Sequence, residues 1–460
     1  MRPLTLKTIG ILSALSLSVF VIAIFLIATH LFTLAALTPA HLLPADRLEA
    51  LFSNMPAPML KRFTDAFPLL SSITGDHAAI AIVRLDDETL STVIFDRVTP
   101  QPEDEVTIMG PFKVTVSDAR VTELLGFKDA RLARHTSYEL LSAGRKPADQ
   151  WAYFASGSLP PPSSLPQNLF AALLQTDLRA AVLTLTPAGC EVRVAGTAWP
   201  AIVSASPLFA NAMSGTLAIV RIADPAALWN VLTEHLDRPN LSLVRGSLEY
   251  AVAQFFGPEV SVREDILPLL TNATTVVLTQ TSSGTAVAVT GALPALQELT
   301  QRLSILRDAF SSAVPPILAT TQPLKRGFTF TSLRTDPSMA SRKRTSQGWW
   351  EVERSFRGDM QEFLTARSTV SFVLSTNSAL LTDLLERDEN RSLPTAGHGR
   401  LLMGGVLNLT DLRKLLAESA PALLEESPPL LLPLPSTRSI VWSIEATDSV
   451  TTLTVNNEQE

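Results

Sequence analysis

One cysteine stands in 460 residues. Cys190 therefore has no internal disulfide partner, and a fold in an oxidising compartment must rest on its core instead of covalent staples. It lies far from the N-terminus, which excludes a lipid-attachment role, and within "CEVRVAG" it reads as a small residue of a strand. Clustered positive charge is equally scarce. The formal net charge is −7, and "RKR" at 342–344 reads as a solvated hairpin tip. Phosphate-backbone binding needs grouped Lys and Arg, so no nucleic acid is expected as a partner. No stretch after residue 45 is long and apolar enough to cross a bilayer.

The motifs of common chemistries are missing too. His30, His41, His77, His135, His235 and His398 are scattered, without an i, i+4 pair or a nearby cysteine. The acids of "LDDE" at 85–88 and "PEDE" at 102–105 lack the alternation of a calcium loop and read as solvated turns. There is no G-x-S-x-G elbow, no S-x-x-K before a helix and no glycine-rich phosphate cradle. Ser158 leads into prolines instead of a helix, and "AGHGR" at 396–400 reads as a turn. Carboxylate pairs for glycoside chemistry leave no trace in sequence. No catalytic residue, metal or cofactor is assigned.

What the chain has is apolar length at one end. Residues 9–29 carry no charge, and the uncharged run extends to Ala45 apart from His30 and His41. Twenty-one helical residues at about 1.5 Å each match the hydrocarbon thickness of a bilayer. A cleaved secretory signal has a shorter apolar region, although Thr33 and Ala35 offer a cleavage site. The reading is an uncleaved anchor. Arg2 and Lys7 hold residues 1–8 in the cytoplasm, so the bulk of the chain is extracytoplasmic at the cell membrane.

The remainder repeats a short phrase. "KVTVSDARVTELL" at 113–125 is an alternating strand, a polar pair and a helix start; "FVLSTNSALLTDLL" at 372–385 has the same plan. The spacing predicts a helix over 118–126 carrying Val121, Leu124 and Leu125, and another over 377–387 carrying Leu381, Leu384 and Leu385. Ser117-Asp118 and Thr376-Asn377-Ser378 are the expected caps. Looser copies place Leu228, Val231 and Leu232 behind Asp224 and Pro225, Leu412, Leu415 and Leu416 behind Asn408 and Thr410, and Leu296, Leu299 and Leu303 after residues 285–291.

Strands are expected at 78–84, 91–97, 105–116, 180–186, 190–196, 216–222, 274–280, 285–291, 327–334, 348–356, 369–375, 401–407 and 438–455. Hairpins interleaved with single helices predict an α+β fold. The expectation is a transmembrane helix at 9–29, then two lobes of mostly antiparallel sheet with helices packed on one face. The helices recur too irregularly for a solenoid. Three consecutive prolines in "GSLPPPSSLP" interrupt structure at 157–166, but strands resume soon after. The lobes are therefore placed at 46–205 and 206–460. "SPPLLLPLPST" at 427–437 reads as a cover over a sheet edge or core. Two amphipathic helices are expected before the first strand, one carrying Leu48, Leu51, Phe52 and Met55, the other Met59, Leu60, Phe63 and Phe67.

Trp349 and Trp350 are the expected recognition feature. Adjacent strand residues face opposite ways, so one belongs to a core and its neighbour to a surface. Three passages, "LFSNMPAPMLKRFTDAFPLLSSITGDHAAIAI", "GPFKVTVSDARVTELLGFKDARLARHTSYELL" and "STVSFVLSTNSALLTDLLER", resemble the bacterial family known as domain of unknown function 3352. The resemblance spans about half the chain and implies a membrane-anchored, extracytoplasmic layout without implying an activity. The functional expectation is a single-pass binding or assembly protein of the bacterial envelope, with an envelope protein or lipid as partner. An anchored hydrolase of cell-wall polymer or peptide, and a carrier of lipid or another apolar ligand, are the alternatives.

Overall fold

A computed structural model describes residues 38–64, 67–97, 108–109, 111–125, 131–145, 149–155, 180–186, 189–195, 215–234, 241–270, 273–281, 284–292, 296–313, 317–323, 329–335, 343–347, 350–357, 361–368, 371–387, 400–411, 414, 439–447 and 449–457. The anchor expected at 9–29 lies outside these residues, as does the lobe boundary expected near residue 205. No helix among the described residues is long and apolar enough to cross a membrane. The chain divides into compact units 1–159 and 160–460.

The smaller unit holds β1 (Leu48–Ser53), β2 (Ala79–Arg84), β3 (Leu90–Arg97), β4 (Ile108–Met109), β5 (Phe112–Val116) and β6 (Gln150–Phe154). They pair antiparallel in the order β4-β5-β3-β2-β1-β6. Between β1 and β2 lie α1 (Ala57–Leu60) and two 3-10 turns; between β5 and β6 lie α2 (Arg120–Leu124) and α3 (Thr136–Ser142).

The larger unit holds β7 (Ala181–Thr186), β8 (Gly189–Ala195), β9 (Thr216–Ile222), α4 (Pro225–Glu234), α5 (Leu241–Phe256), β10 (Thr274–Thr281), β11 (Gly284–Ala292) and α6 (Leu296–Ala313). A separate hairpin, β12 (Ile317–Pro323) and β13 (Thr329–Thr335), follows. Then come β14 (Lys343–Gln347), β15 (Trp350–Arg357), β16 (Gln361–Arg367), β17 (Ser371–Ser375), α7 (Ser378–Arg387), β18 (Arg400–Asn408), β19 (Ser439–Ala446) and β20 (Val450–Asn457). The order across this sheet is β7-β8-β20-β19-β18-β9-β10-β11-β17-β16-β15-β14, antiparallel throughout.

Three expectations are corrected. First, the α+β description gives way to a fold that is mostly antiparallel sheet with few helices. Second, the helices do not keep to one face. In the larger unit α7 buries Leu380, Leu381, Leu384 and Leu385 with Leu364 and Val373, whereas α6 buries Leu299, Leu303, Leu306 and Phe310 with Phe363 and Phe372. Phe363 and Leu364 are adjacent in one strand, as are Phe372 and Val373, so the two helices cover opposite faces. Third, residues 48–53 are β1, not a helix, and all six are buried. A strand covered on both faces is apolar at nearly every position, so the i, i+3, i+4 matches at Leu48, Leu51 and Phe52 were incidental to continuous burial. Of the second expected stripe, Leu60, Phe63 and Phe67 are buried, but from short helical turns.

The repeated phrase has a physical account. The order β4-β5-β3-β2-β1-β6 in the smaller unit is matched by β16-β17-β11-β10-β9-β18 in the larger one, with the same connectivity. In both, the first connection covers one face and the helix after the fifth strand covers the other. Phe63 and Phe67, between β1 and β2, pack on Phe52 and Phe154, while Tyr138 of α3 packs on Trp151 and Tyr153. Phe256 of α5, between β9 and β10, lies on the face opposite α7.

The two phrases occupy the equivalent place, and they exit their strands identically. Ser117 N–H donates to the Thr92 carbonyl at 3.0 Å, and Ser117 Oγ accepts from Thr92 N–H at 2.9 Å. Thr376 N–H donates to the Val287 carbonyl at 3.0 Å, and Thr376 Oγ1 accepts from Val287 N–H at 3.0 Å. A hydroxyl thus stands in for the next backbone carbonyl of the ladder, freeing the main chain to turn into a helix. Ser117, expected as a helix cap, instead closes the β3–β5 ladder. Asp118 accepts from Arg120 N–H at 2.9 Å, Asn377 caps α7 through Leu380 N–H at 3.0 Å, and Asp224 caps α4 through Ala227 N–H at 2.9 Å. The stripe expected at Leu412, Leu415 and Leu416 lies outside the described residues.

Candidate functional site

Trp350 opens β15 and is buried in the core beneath α7. Trp349 lies outside the described residues, so the expected recognition pair is represented by its core member alone. Cys190 is buried between Leu185 and Val455 in the β7-β8-β20 ladder, and burial pushes its thiol up to about 11. A thiol held neutral at physiological pH is a packing group, not a nucleophile.

Among the described residues no group of His, Cys, Asp and Glu could hold a metal ion. The closest approach to a catalytic dyad is His77 with Asp96. His77 Nδ1 lies 2.8 Å from Asp96 Oδ1, and Nε2 lies 3.1 Å from the Thr74 carbonyl. The ring is thus held between a strand carboxylate and a loop carbonyl, with no serine or cysteine among the described residues hydrogen-bonded to either nitrogen. At the β2–β3 hairpin tip, Asp87 accepts from the Thr89 hydroxyl and from Arg120 Nη1, which hold its carboxyl down at about 2. That contact pins the tip to the start of α2.

The arginines are more informative, because a guanidinium carries a charge it cannot shed. Arg131 is buried and donates to the Leu42 and Leu124 carbonyls at 3.1 and 2.8 Å. Arg307 of α6 is buried in an ion pair with Glu353 of β15. Arg357 donates to the Gln254 and Phe255 carbonyls at the C-terminal end of α5 and lies over the Phe310 ring. Arg367 pairs with Glu351 and donates to the Thr300 hydroxyl. Each of these cations has found an oxygen.

Arg221 has not. It is 4% exposed, next to the C-terminal end of β9, and its Nε is buried with no hydrogen-bond partner. Desolvation lowers its pKa, and no acidic side chain acts in the other direction. The residues directly across the sheet are Thr275 of β10 on one side and Gly404 of β18 on the other, continued by Thr290 and Ser443. These share one face with Arg221, since cross-strand partners point the same way. Thr275 and Thr290 are buried. Glu445, two residues beyond Ser443 on β19, is also buried and does not act on Arg221.

Gly404 leaves the guanidinium without a side chain opposite it. A Cβ there would lie 2.9 Å from the Trp442 carbonyl oxygen, so close strand approach keeps the position bare. No sequence motif announced this row; the signal was a lone arginine in an otherwise apolar strand, "TLAIVRI". No family model and no curated protein matches the chain.

Proposed function

We propose that the chain is a single-pass, membrane-tethered binding protein of the bacterial envelope whose folded bulk lies outside the cytoplasm and has no catalytic activity of its own. The placement is supported by the uncharged run 9–29 preceded by Arg2 and Lys7, and by the layout implied by the resemblance to domain of unknown function 3352. The binding role is carried by one observation, the buried side chain of Arg221, whose Nε has no hydrogen-bond partner. A buried charge without a partner is costly to folding and is retained where a ligand supplies the counter-charge.

A reporter active only outside the cytoplasm, fused after Glu460 of the full chain, tests the placement: activity is the expected result, and a silent, stable fusion overturns it. In-cell crosslinking with the N-terminal segment intact tests the role. A specific envelope protein or lipid should be recovered, and repeated recovery of neither overturns it. The carrier reading is kept as the second one, because Arg221 would suit the headgroup of an anionic amphiphile.

A further inference from the structure

We propose that Arg221 anchors a site for a single oxyanion, a carboxylate or a phosphate group, on the α7-covered face of the larger unit's sheet. The inference rests on the binding role proposed above and names its chemistry. A guanidinium presents a planar fork of N–H donors that matches two oxygens of one anion, and the Nε of this fork is already desolvated and unpartnered. The row Thr290–Thr275–Arg221–Gly404–Ser443 supplies three hydroxyl-bearing neighbours on the same face. Those hydroxyls can donate to the oxygens the fork leaves over. Four other buried or half-buried arginines are each met by carbonyls or carboxylates of this chain. Arg131 and Arg307 also leave an Nε unpartnered, but each meets an oxygen of this chain through a terminal nitrogen.

The equivalence of the two sheets sharpens the point. Aligning the Ser117–Thr92 and Thr376–Val287 exits sets Ala79 against Thr275, Ser53 against Arg221 and Trp151 against Gly404. In the smaller unit, the small Ser53 faces a large indole, and the Arg145 guanidinium lies 5.3 Å from that ring's centroid. In the larger unit the sizes are exchanged: a long cation faces a residue without a side chain. One copy fills the place with its own tryptophan, and the other leaves a positive charge to be met from outside the chain.

The test uses the purified full chain in detergent, followed by thermal unfolding at constant ionic strength. Inorganic phosphate, acetate and chloride are titrated separately, and a further arm reconstitutes the protein with and without phosphatidylglycerol. A saturable rise in Tm with phosphate or acetate, and not with chloride, is expected. Arg221→Met should weaken it at least ten-fold, and Arg221→Lys should keep part of it. A rise with phosphatidylglycerol alone assigns the anion to a lipid headgroup; a rise with the free ions assigns it to a soluble ligand. Ser117→Ala, which loses a ladder hydrogen bond in the smaller unit, should melt lower yet keep the full anion response. No saturable rise in any oxyanion arm, or an equal rise in Arg221→Met, overturns the site. Neither result bears on the reporter assay, so failure of the site and failure of the placement are distinguishable.

Discussion

Ser117 and Thr376 each perform a task that the backbone cannot, completing a ladder at the point where the chain leaves it. Removing the hydroxyl strands the N–H of Thr92 or Val287. An unsatisfied buried donor costs about 1–3 kcal/mol. Ser117→Ala and Thr376→Val should each lower stability by that order in chemical denaturation. They sit in different units, so the double variant should lose the sum; a marked shortfall would mean that the exits are not independent. Tyr138 and Tyr153 give a second residue-scale outcome. Burial pushes both phenols up to about 12, from an ordinary value of 10. Folding therefore favours the protonated form: its stabilisation is complete below about pH 10 and is lost as the pH rises towards 12. The unfolding midpoint of the native chain should fall across that window, and Tyr138→Phe with Tyr153→Phe should flatten the fall. An unchanged slope would place the alkaline sensitivity elsewhere.

Among elements, β18 is closely held by its neighbours. A Cβ on Gly405 would lie 1.9 Å from the Ile219 carbonyl oxygen, a backbone atom that cannot step aside. Gly405→Ala should therefore part β18 from β9 and cost several kcal/mol, on the order of the most damaging single substitutions, read as a drop in Tm or loss of soluble protein. A variant that melts like the parent would show that β9 yields. The strands were legible because β-branched runs separated by polar turns mark hairpins, and 79–84, 274–281 and 284–292 fall where alternation put them. α7 was legible from Leu381, Leu384, Leu385 and its cap. β1 was not, since a strand buried on both faces loses its period of two and imitates a helix by chance. The side of the sheet each helix covers was equally invisible, because it depends on cross-strand register, which pairs residues as distant as Ala288 and Ser375. Arg221 was illegible as a site for the same reason: its meaning comes from Thr275 and Gly404, brought beside it by β10 and β18.

For the molecule as a whole, the doubled order of six strands means that one plan was used twice and then elaborated unequally. The second copy carries α5, α6 and the strands β12–β15 that the first has no counterpart for among the described residues. It also carries the unpaired cation, as expected if one copy keeps a structural duty and the other is free to bind. β20 has a further role. β20 lies between β19 and β8, residues 450–457 pairing with 189–195 across more than half the chain. Ending the protein at Thr447 should leave β8 and β19 each with one unpaired edge. The truncated chain should then lose cooperative unfolding and become protease-sensitive between residues 180 and 195, and a truncation that unfolds normally would contradict this closure.

Because β20 is made after β9 to β19, the raw margin of β8 must wait through the synthesis of all of them with its hydrogen-bonding groups unclaimed. Such a margin is an invitation to stray pairing with a neighbouring nascent chain. Biogenesis of this protein thus has a vulnerable interval set by topology, ending only when residues 450–457 arrive to close it.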